Sequence, residues 1–171
     1  MSAKVNRTVM QPDQELEFRR AMSAYATGVT VVTAARPDGR ISGITVNSLT
    51  SVSLSPRLLL WCLGDRSARY PSFAEAEIWG VSVLSAAEED VAERFTRAEA
   101  ETASPEETRM LAGAPVLNAG LAHFACRTFD RRIAGDHLII VGEVLALDSA
   151  AGDTLTYFRG RYGRAADPRG E

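Results

Sequence analysis

Turn signals cut this chain into short extended runs at close intervals, and that spacing limits what it can fold into. Residues 28–35 (GVTVVTAA) are rich in β-branched side chains and end at Pro37-Asp38-Gly39, a good hairpin turn. The stretch 41–46 (ISGITV) returns as its partner. A third extended piece, 49–55 (LTSVSLS), stops at Pro56. A fourth, 58–63 (LLLWCL), is apolar throughout and reads as buried on both faces. Residues 78–84 (IWGVSVL) give another strand. The runs 121–133 (LAHFACRTFDRRI) and 137–147 (HLIIVGEVLAL) form a long hairpin around Ala134-Gly135-Asp136. Residues 154–164 (TLTYFRGRYGR) supply a last short strand or two.

Helical patterns occupy three places. Residues 14–25 carry a mixed apolar stripe through Leu16, Ala21, Met22 and Tyr25. Within 64–77, Ser67 can cap a short helix with Pro71 close to its first turn. Within 85–97, Ser85 and Glu88 make a capping-box pattern, and Val91 and Phe95 share one face. Residues 97–115 are acidic, small and poorly periodic, a long excursion of the kind that is often functional or mobile. Short turns imply mostly antiparallel pairing of seven or eight strands. Strands apolar on both faces, with edges to hide, imply a mainly β fold with short helices, closed or nearly closed into a barrel. A parallel doubly wound sheet fits poorly, because strands do not alternate with helices and no Gly-x-Gly-x-x-Gly follows the first strand. The expected organisation is a flexible arm over 1–13, one domain over 14–164 and a flexible tail over 165–171.

Composition narrows the function. A net charge of -3 argues against a sequence-independent nucleic-acid binder. The longest apolar run, 58–63, is far too short to span a bilayer, and no signal-peptide stretch opens the chain. A cytoplasmic protein with neither nucleic acid nor membrane as partner is expected. Cys62 and Cys126 lie singly in apolar runs and read as buried thiols, and no metal site is expected. There is no Gly-x-Ser-x-Gly elbow, P-loop or His-Glu-x-x-His, and the only histidines are His123 and His137. An enzyme with so few bases would draw its chemistry from a cofactor.

Four stretches could meet a ligand. Thr45, Val46, Asn47 and Ser48, followed by Ser51, offer hydroxyls, an amide and a strand break that frees backbone N–H groups. That inventory suits the edge of a heteroaromatic ring, although a Ser/Thr-rich edge strand is the plainer explanation of the residues alone. Ser67 with Arg66 or Arg69 makes an anion seat, or an ordinary capped helix with surface arginines. Gly135-Asp136-His137 is a hairpin turn with a histidine at the strand mouth. In YFRGRYGR, aromatic rings alternate with arginines, as for a dinucleotide or an exposed terminal strand.

Taken together, FRRAMSAYATGVTVVTA, DGRISGITVNSLTSVSLSPRLLLWCL, RS, VSVL, AERF, APVL, LAHFAC, GDHLIIVGEV and LTYFRGRYG resemble the flavin reductase-like family. These are FMN-binding split-barrel proteins that include the small reductase components of two-component flavin monooxygenases. The likeness runs from about Phe18 to Tyr162 with the blocks in family order. It implies an antiparallel Greek-key split barrel, a homodimer and a flavin near the dimer interface. The family's Thr-Ala-Asn-Ser block corresponds to Thr45, Val46, Asn47 and Ser48, with Val46 for the usual Ala and Leu49 where Phe is common. By the same resemblance, Ser51, Cys62 and Leu63 approach the ring or ribityl chain. Ser67, Ala68 and Arg66 or Arg69 take the phosphate, and Phe95 closes the pocket. His137 lies by the nicotinamide, with Tyr157 approaching the same space. The implied activity is hydride transfer from NADH or NADPH to FMN or FAD, with reduced flavin passed to a partner monooxygenase. A flavin carrier or sensor without reductase activity, or an oxidase with permanently bound flavin, would keep the same fold.

Overall fold

A computed structural model of the chain describes residues 11–97 and 102–168. Its first half runs α1 (Pro12–Met22), β1 (Thr27–Gly28), β2 (Thr30–Ala35), β3 (Ile41–Val46), β4 (Thr50–Leu54), β5 (Arg57–Gly64), α2 (Tyr70–Ala74), β6 (Ile78–Val83) and α3 (Glu89–Arg94). The second half runs β7 (Thr102–Ala103), a 3-10 turn (Pro105–Glu107), β8 (Thr108–Leu111), β9 (Ala114–Leu117), β10 (Ala122–Ala134), β11 (His137–Ser149), β12 (Thr154–Phe158) and β13 (Arg161–Ala165). Every ladder is antiparallel, as the short turns require. Residues 1–10 of the expected arm, 98–101 of the excursion and 169–171 of the expected tail lie outside the described residues. Within that tail, the Asp167 N–H donates to Asp153 at 2.9 Å and its carboxylate accepts the Gly152 N–H at 3.1 Å.

The sheets are open, which corrects the barrel expected from the sequence. The largest has eight strands in the order β4-β5-β11-β10-β6-β2-β3-β7, and no ladder joins β4 to β7. Beside it stand the three-stranded sheet β1-β12-β13 and the two-stranded β8-β9. The inference to a barrel assumed that strands apolar on both faces must be hidden by closure. Here separate layers cover the second face instead. β9, buried along its whole length, lies across β2, β6 and β10. The Thr33 hydroxyl donates to the Pro115 carbonyl at 2.6 Å, and the Leu117 N–H donates to Ser82 Oγ at 3.0 Å. At Gly80 any β-carbon would collide with the Pro115 carbonyl, so this approach needs glycine. The edges are blunted rather than removed: β7 has two residues, and the β4–β5 register shifts between Ser51 and Ser53.

β5 departs from expectation for the same reason. Leu59, Trp61 and Leu63 are buried, while Leu58, Leu60 and Cys62 on the other face stay half-exposed. The buried face builds a core in which Trp61 meets Phe73 and Trp79 edge-on, with ring centroids 5.4 and 6.0 Å apart. A second core of Val29, Leu84, Phe95 and Leu155 joins α3 and the three-stranded sheet to β2. Both cysteines are free thiols; Cys126 is buried and pushed up to about 12 by that burial. Local signals are displaced slightly. Arg69, not Ser67, is the N-cap of α2, and Ser67 Oγ accepts the Arg69 N–H in the turn before it. Half of the Ser85–Glu88 box forms, with Glu88 accepting the Ser85 N–H at 2.7 Å. No described helix is long and apolar enough to cross a membrane.

Candidate functional site

The hydroxyl-rich strip is where β3 leaves the sheet. The Thr45 N–H donates to the Phe95 carbonyl at 3.2 Å, and its hydroxyl donates to the Ala92 carbonyl at 2.7 Å. Thr45 thereby docks the C-terminal end of α3 onto β3. The Val46 carbonyl accepts the Thr30 hydroxyl at 3.1 Å, and its side chain packs against the Trp61 core. Ser48 Oγ accepts the Cys62 N–H at 3.0 Å, which ties the strip to β5. The Asn47 side chain is exposed and has no hydrogen-bond partner among the described residues. Ser51 is exposed on the edge strand, opposite Leu59. The half-buried Cys62 thiol is raised above its usual range by burial, an effect that the Ser48 hydrogen bond opposes.

β5 ends at Gly64, which stands opposite His137 in the β5–β11 ladder. The next turn is drawn against the hairpin, with the Asp65 N–H donating to the Asp136 carbonyl at 2.9 Å. The Ser67 N–H returns to the Gly64 carbonyl at 3.1 Å. Arg66 and Ala68 are exposed beside it, whereas Arg69 is buried and its guanidinium donates to the Arg97 carbonyl just beyond α3. Leu63 is wholly in the core. Phe95 is also buried, its ring so close behind β3 that a β-carbon on Gly43 would stand 2.5 Å away. It therefore supports Thr45 from behind.

His137 opens β11 with a side chain 48% exposed, its Nδ1 2.7 Å from the Asp136 carboxylate. The Asp136 carboxyl is held below its usual range, first by that hydrogen bond and then by the nearby charges of His137 and, more weakly, Arg66. Tyr157 lies elsewhere: it is half-buried, edge-on to Tyr162 at 5.3 Å, and lines a cleft with α3. The strip, the end of β5, the 66–69 turn, Phe95 and His137 form one connected end of the large sheet, and Tyr157 stands across α3 from it. Gly43 and Arg97, both needed to set this arrangement, were missed in the sequence. A glycine inside ISGITV does signal a close approach, but no local pattern marks a backbone carbonyl such as that of Arg97.

Comparison with known proteins gives a consistent picture. The family described as "Flavin reductase like domain" matches residues 22–166. The chain is 46% identical to the FMN reductase (NADH) SmoA of Agrobacterium fabrum over 147 residues, covering 86% of this chain and 84% of that protein. It is 41% identical to a probable flavin reductase of Rhizobium meliloti, covering 85% of this chain but only 47% of the relative. Among solved structures, the styrene monooxygenase flavin reductase of Pseudomonas putida S12 superposes with a TM-score of 0.80 at 28% identity, covering 88% of this chain and 99% of that one.

Proposed function

We propose a function from one premise: the chain belongs to the flavin reductase-like family. It is an NAD(P)H-dependent flavin reductase that moves a hydride from NADH or NADPH to FMN or FAD and supplies reduced flavin to a partner monooxygenase. Relatives are named for this reaction, and the Pseudomonas protein for its monooxygenase. The single observation that carries the reading to named residues is the wall made by residues 45–48 against the turn after β5. Its unsatisfied groups fit a flavin. The Asn47 amide is free to meet a ring edge that carries carbonyls and nitrogens. The Ser67 hydroxyl accepts the Arg69 N–H and keeps its own proton to donate to a phosphate, beside the exposed Arg66 guanidinium.

Bound flavin would supply the redox chemistry, taking up the hydride that leaves C4 of the nicotinamide. That step needs no protein acid or base, so the residues serve to position. Thr45, Val46, Asn47, Ser48 and Ser51 wall the ring and its chain, with Cys62 at the end of β5, while Leu63, wholly in the core, backs the wall without meeting the flavin. Ser67, Ala68 and Arg66 hold the phosphate. Arg69 fixes the turn through the Arg97 carbonyl, and Phe95 holds Thr45 in place. Asp136 holds His137 through Nδ1, which leaves Nε2 to meet the nicotinamide amide. Tyr157 meets the dinucleotide from across α3.

The protein acts in the cytoplasm as a homodimer. What supports the dimer is an uncovered apolar surface. Leu58, Leu60 and Cys62 of β5 lie beside Ile139 and Val141 of β11, near exposed Val52 and a Leu54 that is 91% exposed. Replacing His137 with alanine tests the assignment. Turnover of NADH should fall by about tenfold or more while flavin affinity, read by quenching of flavin fluorescence, stays within about twofold. Collapse of flavin binding with unchanged turnover per bound flavin would overturn the role of His137.

A further inference from the structure

The C-terminal end of α3 supplies the acceptors that hold both halves of the flavin wall. The Ala92 carbonyl takes the Thr45 hydroxyl at 2.7 Å, and the Phe95 carbonyl takes the Thr45 N–H at 3.2 Å. The Arg97 carbonyl takes the Arg69 guanidinium. The first two bonds place the strip at 45–48, and the third places the turn at 66–69. A helix of six residues does not hold itself in place, because so short a helix depends on tertiary contacts. Ala92 and Phe95 are buried and anchor its inner side. Arg94 anchors the outer side. Its guanidinium meets the Glu107 carboxylate with both terminal nitrogens, the second at 2.9 Å, and donates to the Thr102 carbonyl at 3.3 Å. Its central carbon lies 4.7 Å from the centre of the Phe95 ring.

One side chain therefore touches both the excursion and the ring that supports Thr45. The excursion is itself fixed where Arg94 meets it. The Glu107 carboxylate also accepts the Ser104 N–H at 2.8 Å, and the Glu107 carbonyl accepts the Asn118 N–H at 2.8 Å. Just before the 3-10 turn, β7 pairs with β3 at Ile41 and Ser42, two residues from the strip side of Gly43 where the Phe95 ring presses. We propose, on the flavin-reductase reading above, that Arg94 is a positioning residue for flavin: anchored by Glu107, it fixes the end of α3 and with it the strip at Thr45 and the turn at Arg69. Residues 102–107 then belong to the reductase machinery and are not an idle connection. Riboflavin, which has no phosphate, draws on the strip alone, whereas FMN draws on both the strip and the turn. Arg94 and Glu107 are each more than a third exposed, so the change in affinity is expected to be modest.

Titrating the full chain with FMN and with riboflavin, followed by quenching of flavin fluorescence, tests this. Arg94→Ala should raise Kd about fivefold for FMN and about twofold for riboflavin, while kcat at saturating FMN stays within about twofold of the parent. Glu107→Gln should raise the FMN Kd about threefold. The double variant should bind FMN no more weakly than Arg94→Ala alone, because the two side chains act as one unit. A loss of stability by itself leaves Kd unchanged so long as the variant is folded, so these shifts separate positioning from bracing. Should Arg94→Ala melt early, Glu107→Gln supplies the same comparison between the two flavins. An unchanged FMN Kd in a folded variant, or effects of the two substitutions that simply add, would overturn the inference. So would equal losses for FMN and riboflavin, since the turn at Arg69 would then not depend on Arg94. A parent that binds neither flavin would instead remove the reductase reading, and the inference with it.

Discussion

At the open end of the β10–β11 hairpin His123 faces Asp148, with 2.8 Å between Nδ1 and Oδ1; at its turn His137 meets Asp136 at 2.7 Å. The same two residue types thus occur at both ends of one hairpin. The His123 side chain is only 6% exposed, and its Nε2 lies 3.0 Å from the Ala119 carbonyl. Asp148 also accepts the Arg109 guanidinium on both oxygens, at 3.0 and 2.8 Å. Burial pushes the Asp148 carboxyl up, but hydrogen bonds from Arg109 and His123 outweigh it and hold the group below its usual range. At the turn, His137 is half-exposed and only its Nδ1 is engaged. A pair whose polar atoms are all used within the protein braces β8 against the hairpin. A pair with one nitrogen left over can still take a ligand.

That contrast can be broken by experiment. The largest effect should come from the braced side, where β9 lies flat on the sheet. Gly80→Ala forces a β-carbon into the Pro115 carbonyl and should cost about 3 kcal/mol or more in urea unfolding. His123→Ala leaves the half-buried Ala119 carbonyl and part of a charge network without a partner, and should cost about 2 kcal/mol while the folded enzyme turns over as the parent does. Loss of activity without loss of stability would show that His123 is more than a brace.

A smaller effect is expected where the excursion is pinned by Arg94 and Glu107. The Arg94 guanidinium holds the Glu107 carboxyl down at about 2, from an ordinary 4.5. A carboxyl depressed on folding stabilises above its unfolded value and loses that contribution as pH falls towards its folded one, here between 4.5 and about 2. Both side chains are over a third exposed, 36% and 40%, so solvent screening limits the gain to about 1 kcal/mol. Glu107→Gln should lose that amount at neutral pH and flatten the acid limb of the stability profile; an unchanged limb would show that the pair contributes nothing. The smallest stability change, within about 0.5 kcal/mol, should be that of His137→Ala in thermal melting, since its ring is half in solvent. A large loss there would erase the difference between the two pairs.

The parts legible in the sequence are those set by local chemistry. The β10–β11 hairpin follows from Gly135, which sits at φ 63 between two long extended runs. The strand break after Val46 follows from its small polar residues. The β8–β9 hairpin was hidden, because its buried half, Ala114–Leu117, is too short to show a period and gains its meaning only by lying across β2, β6 and β10. Its turn at Ala112 and Gly113, both at positive φ, was the one available sign. The open sheet was misread because apolar strands do not say whether their own sheet or another layer covers them. The cleft beside α3 joins Glu89 to Arg161, far apart in the chain, and no local spacing could reveal it.

The central claim is that the chain transfers hydride from a nicotinamide dinucleotide to flavin. Mixing the purified protein with NADH and excess FMN, then FAD, and following NADH absorbance under air tests it most directly. Rapid, saturable oxidation that depends on added flavin is the predicted result. A protein that binds flavin yet oxidises neither NADH nor NADPH with either flavin would contradict it and leave a flavin carrier.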